Sequence, residues 1–128
     1  MTMCRGVRGA TTTQENTREA IVTATRELLC ELVAANNINV DDVASVFFTT
    51  SPDLNAEFPA VAARELGWQS AAMMCGHEMS VPHGLEKCIR VLIHWNTDKP
   101  AVEIRYVYLK GAARLRPDLS GHQSTKEE

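Results

Sequence analysis

No run of apolar residues in this 128-residue chain approaches the roughly 18 that crossing a bilayer requires. A membrane role is therefore not expected. The opening residues, Met1-Thr2-Met3-Cys4-Arg5, lack the apolar stretch of a secretory signal, so a cytoplasmic protein is expected. An excess of positive charge is also missing. Lys and Arg number 13 against 16 Asp and Glu, for a net charge of −3. That balance excludes a general nucleic-acid binder, which carries a basic footprint. Phosphate-cradling glycine patterns are absent too, because Gly6-Val7-Arg8-Gly9 is not such a loop, and no nucleotide cofactor is implied. The four cysteines (Cys4, Cys30, Cys75 and Cys88) are scattered, which fits reduced thiols packed as small hydrophobes. Neither an internal repeat nor an inter-domain linker interrupts the chain, and its length suits one domain.

What is present is ordinary globular composition, 45% hydrophobic and 23% charged, with patterned segments. A short alternating run, Met3 to Arg8, reads as a strand. Thr12 with Glu15, or Asn16 with Glu19, offers a capping box for a helix from about Glu15 to Ala35. In that segment Ile21, Leu28, Leu29, Leu32 and Ala35 recur at helical spacing, and Asn36-Asn37 ends it. Val43 to Thr50 reads as a largely buried strand, followed by a turn at Ser51-Pro52-Asp53. Pro59 starts a helix of about two turns that Gly67 closes. Ser70 to Cys75 is a short strand, Gly76 to Gly84 a loop, Glu86 to Trp95 a long strand, and Glu103 to Leu109 a last strand. The expected domain spans 1–120, with a polar, frayed tail at 121–128.

The predicted fold class is α+β: a mixed sheet of about five strands with one long helix and short helical turns on one face. One helix covers only one sheet face. The other carries apolar residues from several strands, so an oligomer is expected to bury it.

Arginine dominates the cations, at nine of 13, and its guanidinium grips carboxylates bidentately where lysine is a point charge. Arg90 lies mid-strand between Ile89 and Val91, where a guanidinium needs an anion; an internal salt bridge and an anionic ligand both satisfy that need. Arg8, beside Gly9, is either an exposed arginine or a second anion contact. The stretch Cys75-Gly76-His77-Glu78 admits a Cys–His nucleophile, a metal site or a hydroxyl acceptor at Glu78. The spacing of Cys75, His77, His83 and Cys88 fits no standard structural zinc site, so no metal is assigned. The nearby charge of Glu78 is expected to oppose thiolate formation at Cys75.

Seven stretches carry a resemblance. They are Arg5-Gly-Val-Arg-Gly-Ala-Thr-Thr12, Ser51-Pro-Asp-Leu54, Phe58-Pro-Ala60, Ala63-Arg-Glu-Leu66 with Gly67-Trp-Gln69, Lys87-Cys-Ile-Arg-Val91, Arg105-Tyr-Val-Tyr-Leu109 and Leu115-Arg-Pro-Asp-Leu119. In this order they resemble the small monofunctional bacterial chorismate mutases of the AroH class. The resemblance implies a homotrimer whose sheets pack face to face as a pseudo-α/β-barrel, with active sites between subunits. It implies conversion of chorismate to prephenate by a [3,3]-sigmatropic rearrangement, without cofactor, metal, nucleic acid or membrane partner. Implied catalytic residues are Arg90, donating to the ether oxygen, and Glu78, accepting from the ring hydroxyl. Arg8 on a carboxylate, Tyr108 as hydroxyl donor and Cys75 beside Glu78 join them. Implied substrate contacts are Phe58, Ala60, Arg64, Met73, Met74, Leu115 and Arg116, with Arg64 and Arg116 at the rim attracting a dianion. His77 stands where the family pattern suggests a neutral polar residue. Two other readings remain beside this one: a Rid-type imine hydrolase using Arg105, and a trimeric metabolite binder without turnover.

Overall fold

The structure, a computed structural model, describes residues 1–115. Its central strand, β4 (Cys88–Thr97), runs antiparallel between β1 (Met3–Thr12) and β2 (Val43–Thr50). A third strand, β3 (Ala72–His77), adds parallel to β2, and β5 (Val107–Tyr108) adds parallel to β1. The order across the five-stranded sheet is β3-β2-β4-β1-β5. The long helix α1 (Arg18–Asn36) and the short α2 (Ala60–Glu65) pack on one face. Among the described residues no helix is long and apolar enough to cross a membrane.

Period-two alternation decides which face each strand residue serves. Ile89, Val91, Ile93 and Trp95 of β4 are all buried, as are Val7 of β1 and Val46 and Phe48 of β2. All but Ile89 meet Leu28, Leu29 and Leu32 of α1 in one core, while Ile89 packs with Ile21, Ala24 and Leu54 in a separate cluster. The intervening residues face away from the helices. Of these, Phe47 is 45% and Met74 66% exposed, the open apolar face expected from a single covering helix. The corner around Ala10, Cys88 and Tyr108 is covered by Ala112, Leu115 and Leu85.

Three expectations about element ends are corrected. Neither proposed capping box forms: the N-cap of α1 is Thr17, whose hydroxyl accepts from Ala20 N at 3.1 Å. Asn16 is occupied elsewhere, accepting from the backbone N–H groups of Asn55 and Ala56 at 3.0 Å each and pinning the loop before α2. The strand after Ser70 begins at Ala72 and runs on to His77, so Gly76 and His77 belong to β3 rather than to the loop. The last strand shrinks to Val107–Tyr108. The cause is Asn36, buried at the end of α1. Its side chain accepts from Arg105 N at 2.8 Å and donates to Arg105 O at 2.9 Å. Those backbone groups are thereby satisfied by a side-chain amide in place of a strand ladder. Asn37 ends the helix as expected, in the left-handed region at φ 57° that asparagine tolerates.

Gly9 sits where β1 passes closest to α1. A Cβ there would lie 2.8 Å from Leu32 Cδ1 and 3.1 Å from both Leu28 Cδ1 and the Val107 carbonyl oxygen. Replacement of Gly9 by valine should therefore destabilise the fold by about 1–3 kcal/mol through overpacking. A drop in urea midpoint against the parent chain checks this, and an unchanged midpoint would contradict the close packing of β1 on α1.

Candidate active site

β4 places Arg90 directly opposite Ala10 of β1 and Thr49 of β2, and Ala10 pairs in turn with Tyr108. Tyr108, Ala10, Arg90 and Thr49 thus form one row across the open face. Glu78 follows β3 and folds back onto this row, its N–H donating to Thr50 O at 2.8 Å. Its Oε2 accepts from Thr49 Oγ1 at 2.5 Å. The same oxygen lies 3.9 Å from Arg90 Nε, an ion pair but too long for a hydrogen bond. Arg90 Nε is buried with no hydrogen-bond partner among the described residues. Buried donors are rarely left so, and a guanidinium less often than most. The groove in front of it, of about 600 Å³, is lined by Arg90, Glu78, Cys88 and the loop Met79–Glu86. Of the two readings open for Arg90, the internal salt bridge is only partly formed.

The start of β4 is braced from the turn before it. Lys87 adopts a left-handed φ of 48°, and its N–H donates to both Asp53 carboxylate oxygens at 3.1 and 3.0 Å. Ser51 Oγ donates to Asp53 at 2.5 Å and accepts from Cys88 N at 2.9 Å. The stretch Ser51-Pro52-Asp53 is therefore more than the turn read from sequence: it fixes the strand start, Cys88, two residues from Arg90.

The expected site residues fall into two sets within the chain. Arg8, exposed on β1 opposite Leu92, shares the open face with Arg90, Glu78 and buried Tyr108, and Leu115 packs beside Tyr108. Met74, opposite Phe47, is on that face too, at the far strand. Cys75 and Met73 point the other way and pack against the helix-side core. Cys75 joins exposed Phe58 and His77 in a cleft of about 360 Å³. Arg64 and Met73 line a neighbouring depression with Trp68, and Ala60 is buried at the start of α2. Arg116 lies outside the described residues, as does the 121–128 tail. One chain therefore does not bring the expected set into a single cleft.

The Cys75 thiol is raised above its ordinary value mainly by burial, with the Ala60 backbone and Arg64 pulling it down. Glu78 is not the cause, because it sits on the other side of the sheet. His77 Nδ1 is 3.0 Å from Thr50 Oγ1, so the ring is held by a hydroxyl within its own sheet. Among the described residues no group of three or more His, Cys, Asp or Glu side chains could hold a metal ion. Thr49 and the Ser51–Asp53 brace were missed by sequence reasoning. Their only signal was a hydroxyl at an open-face position of β2 and an Asp before a strand.

The arrangement offers a cation with an unsatisfied donor, a carboxylate held beside it and a buried tyrosine, suited to an anionic, hydroxyl-bearing small molecule. The model of the chorismate mutase type I family matches residues 4–119. The chorismate mutase AroH of Thermus thermophilus is 48% identical over 122 residues, covering 94% of this chain and 100% of that protein. That of Bacillus subtilis (strain 168) is 46% identical over 125 residues, covering 97% and 98%. A solved chorismate mutase from Clostridium thermocellum superposes with a TM-score of 0.85 at 50% identity, covering 86% of this chain and 98% of the other.

Burial pushes the Cys88 thiol up from 9.0 to about 11, against the lowering effect of Arg90. The unfolded chain ionises this thiol first. The stability that Cys88 gains by staying neutral is therefore complete below pH 9 and is lost as pH rises toward 11. The difference in unfolding free energy between the parent and Cys88→Ala should accordingly shrink between pH 9 and 11. A difference constant over that range would contradict it.

Proposed function

Since this chain belongs to the chorismate mutase type I family, we propose that the groove before Arg90 is where it converts chorismate to prephenate. The chain is a chorismate mutase, an isomerase of aromatic amino acid biosynthesis. The observation that carries the site is the buried Arg90 Nε, which has no hydrogen-bond partner among the described residues.

The reaction is internal to the substrate. One C–O bond breaks as one C–C bond forms, and no proton, electron or external group is exchanged. Catalysis then consists of holding the compact chair-like conformer and stabilising the negative charge that gathers on the ether oxygen. Arg90 donates to that oxygen and to a neighbouring carboxylate; its fork geometry serves two acceptors at once. Arg8 holds a carboxylate, Tyr108 donates its hydroxyl, and Glu78 accepts from the ring hydroxyl through the carboxylate oxygen that Thr49 leaves free. Phe58, Ala60, Met73, Met74, Cys75 and Leu115 exclude water, while Arg64 and Arg116 attract the dianion.

The division of these residues between two faces supports a homotrimer with sites between subunits. The open face of one chain would supply Arg8, Glu78, Arg90, Tyr108 and Leu115. The α2–β3 side of a neighbour would supply Phe58, Ala60, Arg64, Met73 and Cys75. The exposed Phe47 and Met74 give the open sheet an apolar reason to be covered. No observation favours the imine hydrolase: Arg105, its candidate ligand, lies in a segment tied by its backbone to Asn36.

Arg90→Met should lower kcat for chorismate by at least about 10²-fold, the scale of losing one preorganised donor, and Arg90→Lys should recover only part of it. Near-normal turnover in Arg90→Met would refute the electrostatic role. The assembly has its own test. Arg90→Met chains and Phe58→Ala/Arg64→Glu chains, each impaired alone, are unfolded together and refolded as an equimolar mixture. Random assembly should leave about a quarter of interface sites intact, so activity should return toward about a quarter of the parent level. Activity no higher than the mean of the two variants would mean that each site lies within one chain.

A further inference from the structure

The placement of Thr49 bears on how Arg90 stays available. Glu78 and Arg90 are an opposite-charge pair on one face, and their natural resting state is a closed salt bridge that would occupy the guanidinium before any substrate arrived. The pair is held open instead. Thr49 stands opposite Arg90 in the strand register, and its hydroxyl donates at 2.5 Å to Oε2, the oxygen that is 3.9 Å from Arg90 Nε. The Glu78 backbone is fixed independently by its N–H to Thr50 O at 2.8 Å, so the carboxylate alone decides whether the bridge closes.

We propose that Thr49 is a positioning residue that holds Glu78 off Arg90 and so keeps the guanidinium open to the anionic substrate. This rests on the assignment of Arg90 and Glu78 to the site. Without the hydroxyl, the carboxylate turns to the nearest remaining donor, Arg90 Nε. Substrate must then break a formed ion pair on binding. The cost falls before the chemical step, so it appears in KM more than in kcat.

Thr49→Val keeps the β-branched shape and the strand preference while removing the hydroxyl. The experiment measures chorismate turnover and thermal midpoint for Thr49→Val, Thr49→Ser, Glu78→Gln, Arg90→Met and the double variant Thr49→Val/Glu78→Gln. Thr49→Val should raise KM about tenfold, the scale of one hydrogen bond to a charged group, with kcat within about threefold of the parent. Thr49→Ser, which restores the donor, should return KM to within about threefold of the parent. In the Glu78→Gln background, where no carboxylate can close on Arg90, Thr49→Val should cost less than about threefold, a non-additivity that a purely structural role does not produce. Additive losses, a loss confined to kcat, or a KM equal to the parent's in Thr49→Val would overturn the proposal. Should Arg90→Met and Glu78→Gln collapse turnover while Thr49→Val behaves as the parent, only the role of Thr49 falls. Should neither of those two affect turnover, the site assignment falls with it.

Discussion

β4 is hydrogen-bonded along its length on both sides, by β1 and by β2, and its alternation cannot be shifted by one residue without exchanging the helix-side core for the open face. Ile89, Val91, Ile93 and Trp95 must face the helices, because Val91, Ile93 and Trp95 belong to the main core and Ile89 packs on Ile21 and Ala24 of α1. Cys88, Arg90, Leu92 and His94 are therefore forced onto the open face. The position of Arg90 is thus locked by the burial of four apolar neighbours, each contributing about 1.5–3 kcal/mol relative to exposure. The backbone of Arg90 and the face its side chain leaves from are set this way without help from the guanidinium. The hydrophobic core sets the geometry, and the site inherits it.

That inheritance bears on how Arg90 Nε remains without a hydrogen-bond partner among the described residues. An arginine on a flexible loop would swing to water or to the nearest carboxylate. Arg90 is carried by a central strand whose start is braced by Asp53 and Ser51, and Glu78 is held by Thr49. The chain thereby presents an unmet donor, of the kind that in the proposed site stabilises developing charge without reorganisation at the moment of reaction. A pericyclic rearrangement is well matched to such a site, since it asks for fixed charge and fixed shape and for no proton transfer.

Much of this was legible in the sequence for a physical reason: long periodic segments report burial directly. The faces of β4, the apolar stripe and C-terminal end of α1 and the bare sheet face all follow from apolar spacing, and the structure agrees with them, while α1 starts at Arg18, later than the spacing suggested. Arg90, Arg8 and Glu78 stood out from the residues themselves, while their roles and the remaining site residues came from the resemblance. What stayed hidden depends on contacts between distant segments. The use of Asn16 on the loop before α2 displaced the expected cap to Thr17, and the amide of Asn36 took over the backbone of Arg105 from the last strand. The raised Cys75 thiol was expected, but its cause was not. Strand β3 turns Cys75 toward the core and leaves Glu78 on the other side, so burial acts where charge was expected to. Thr49 was invisible for the same reason, because its partner is chosen by strand register and not by sequence distance.

Register also governs the charge that the site presents. Cys88 and Arg90 share the open face two residues apart, and the guanidinium favours a thiolate at Cys88. A thiolate there would offset the charge of Arg90, the cation assigned to the substrate in the proposed site. Burial beneath Leu85, Ala112 and the Tyr108 ring outweighs that pull and sets the thiol at about 11. Across the neutral range Cys88 is therefore an uncharged packing residue. The packing that seals this corner of the sheet has an electrostatic effect as well: it leaves Glu78, hydrogen-bonded by Thr49, as the negative charge paired with Arg90 among the described residues.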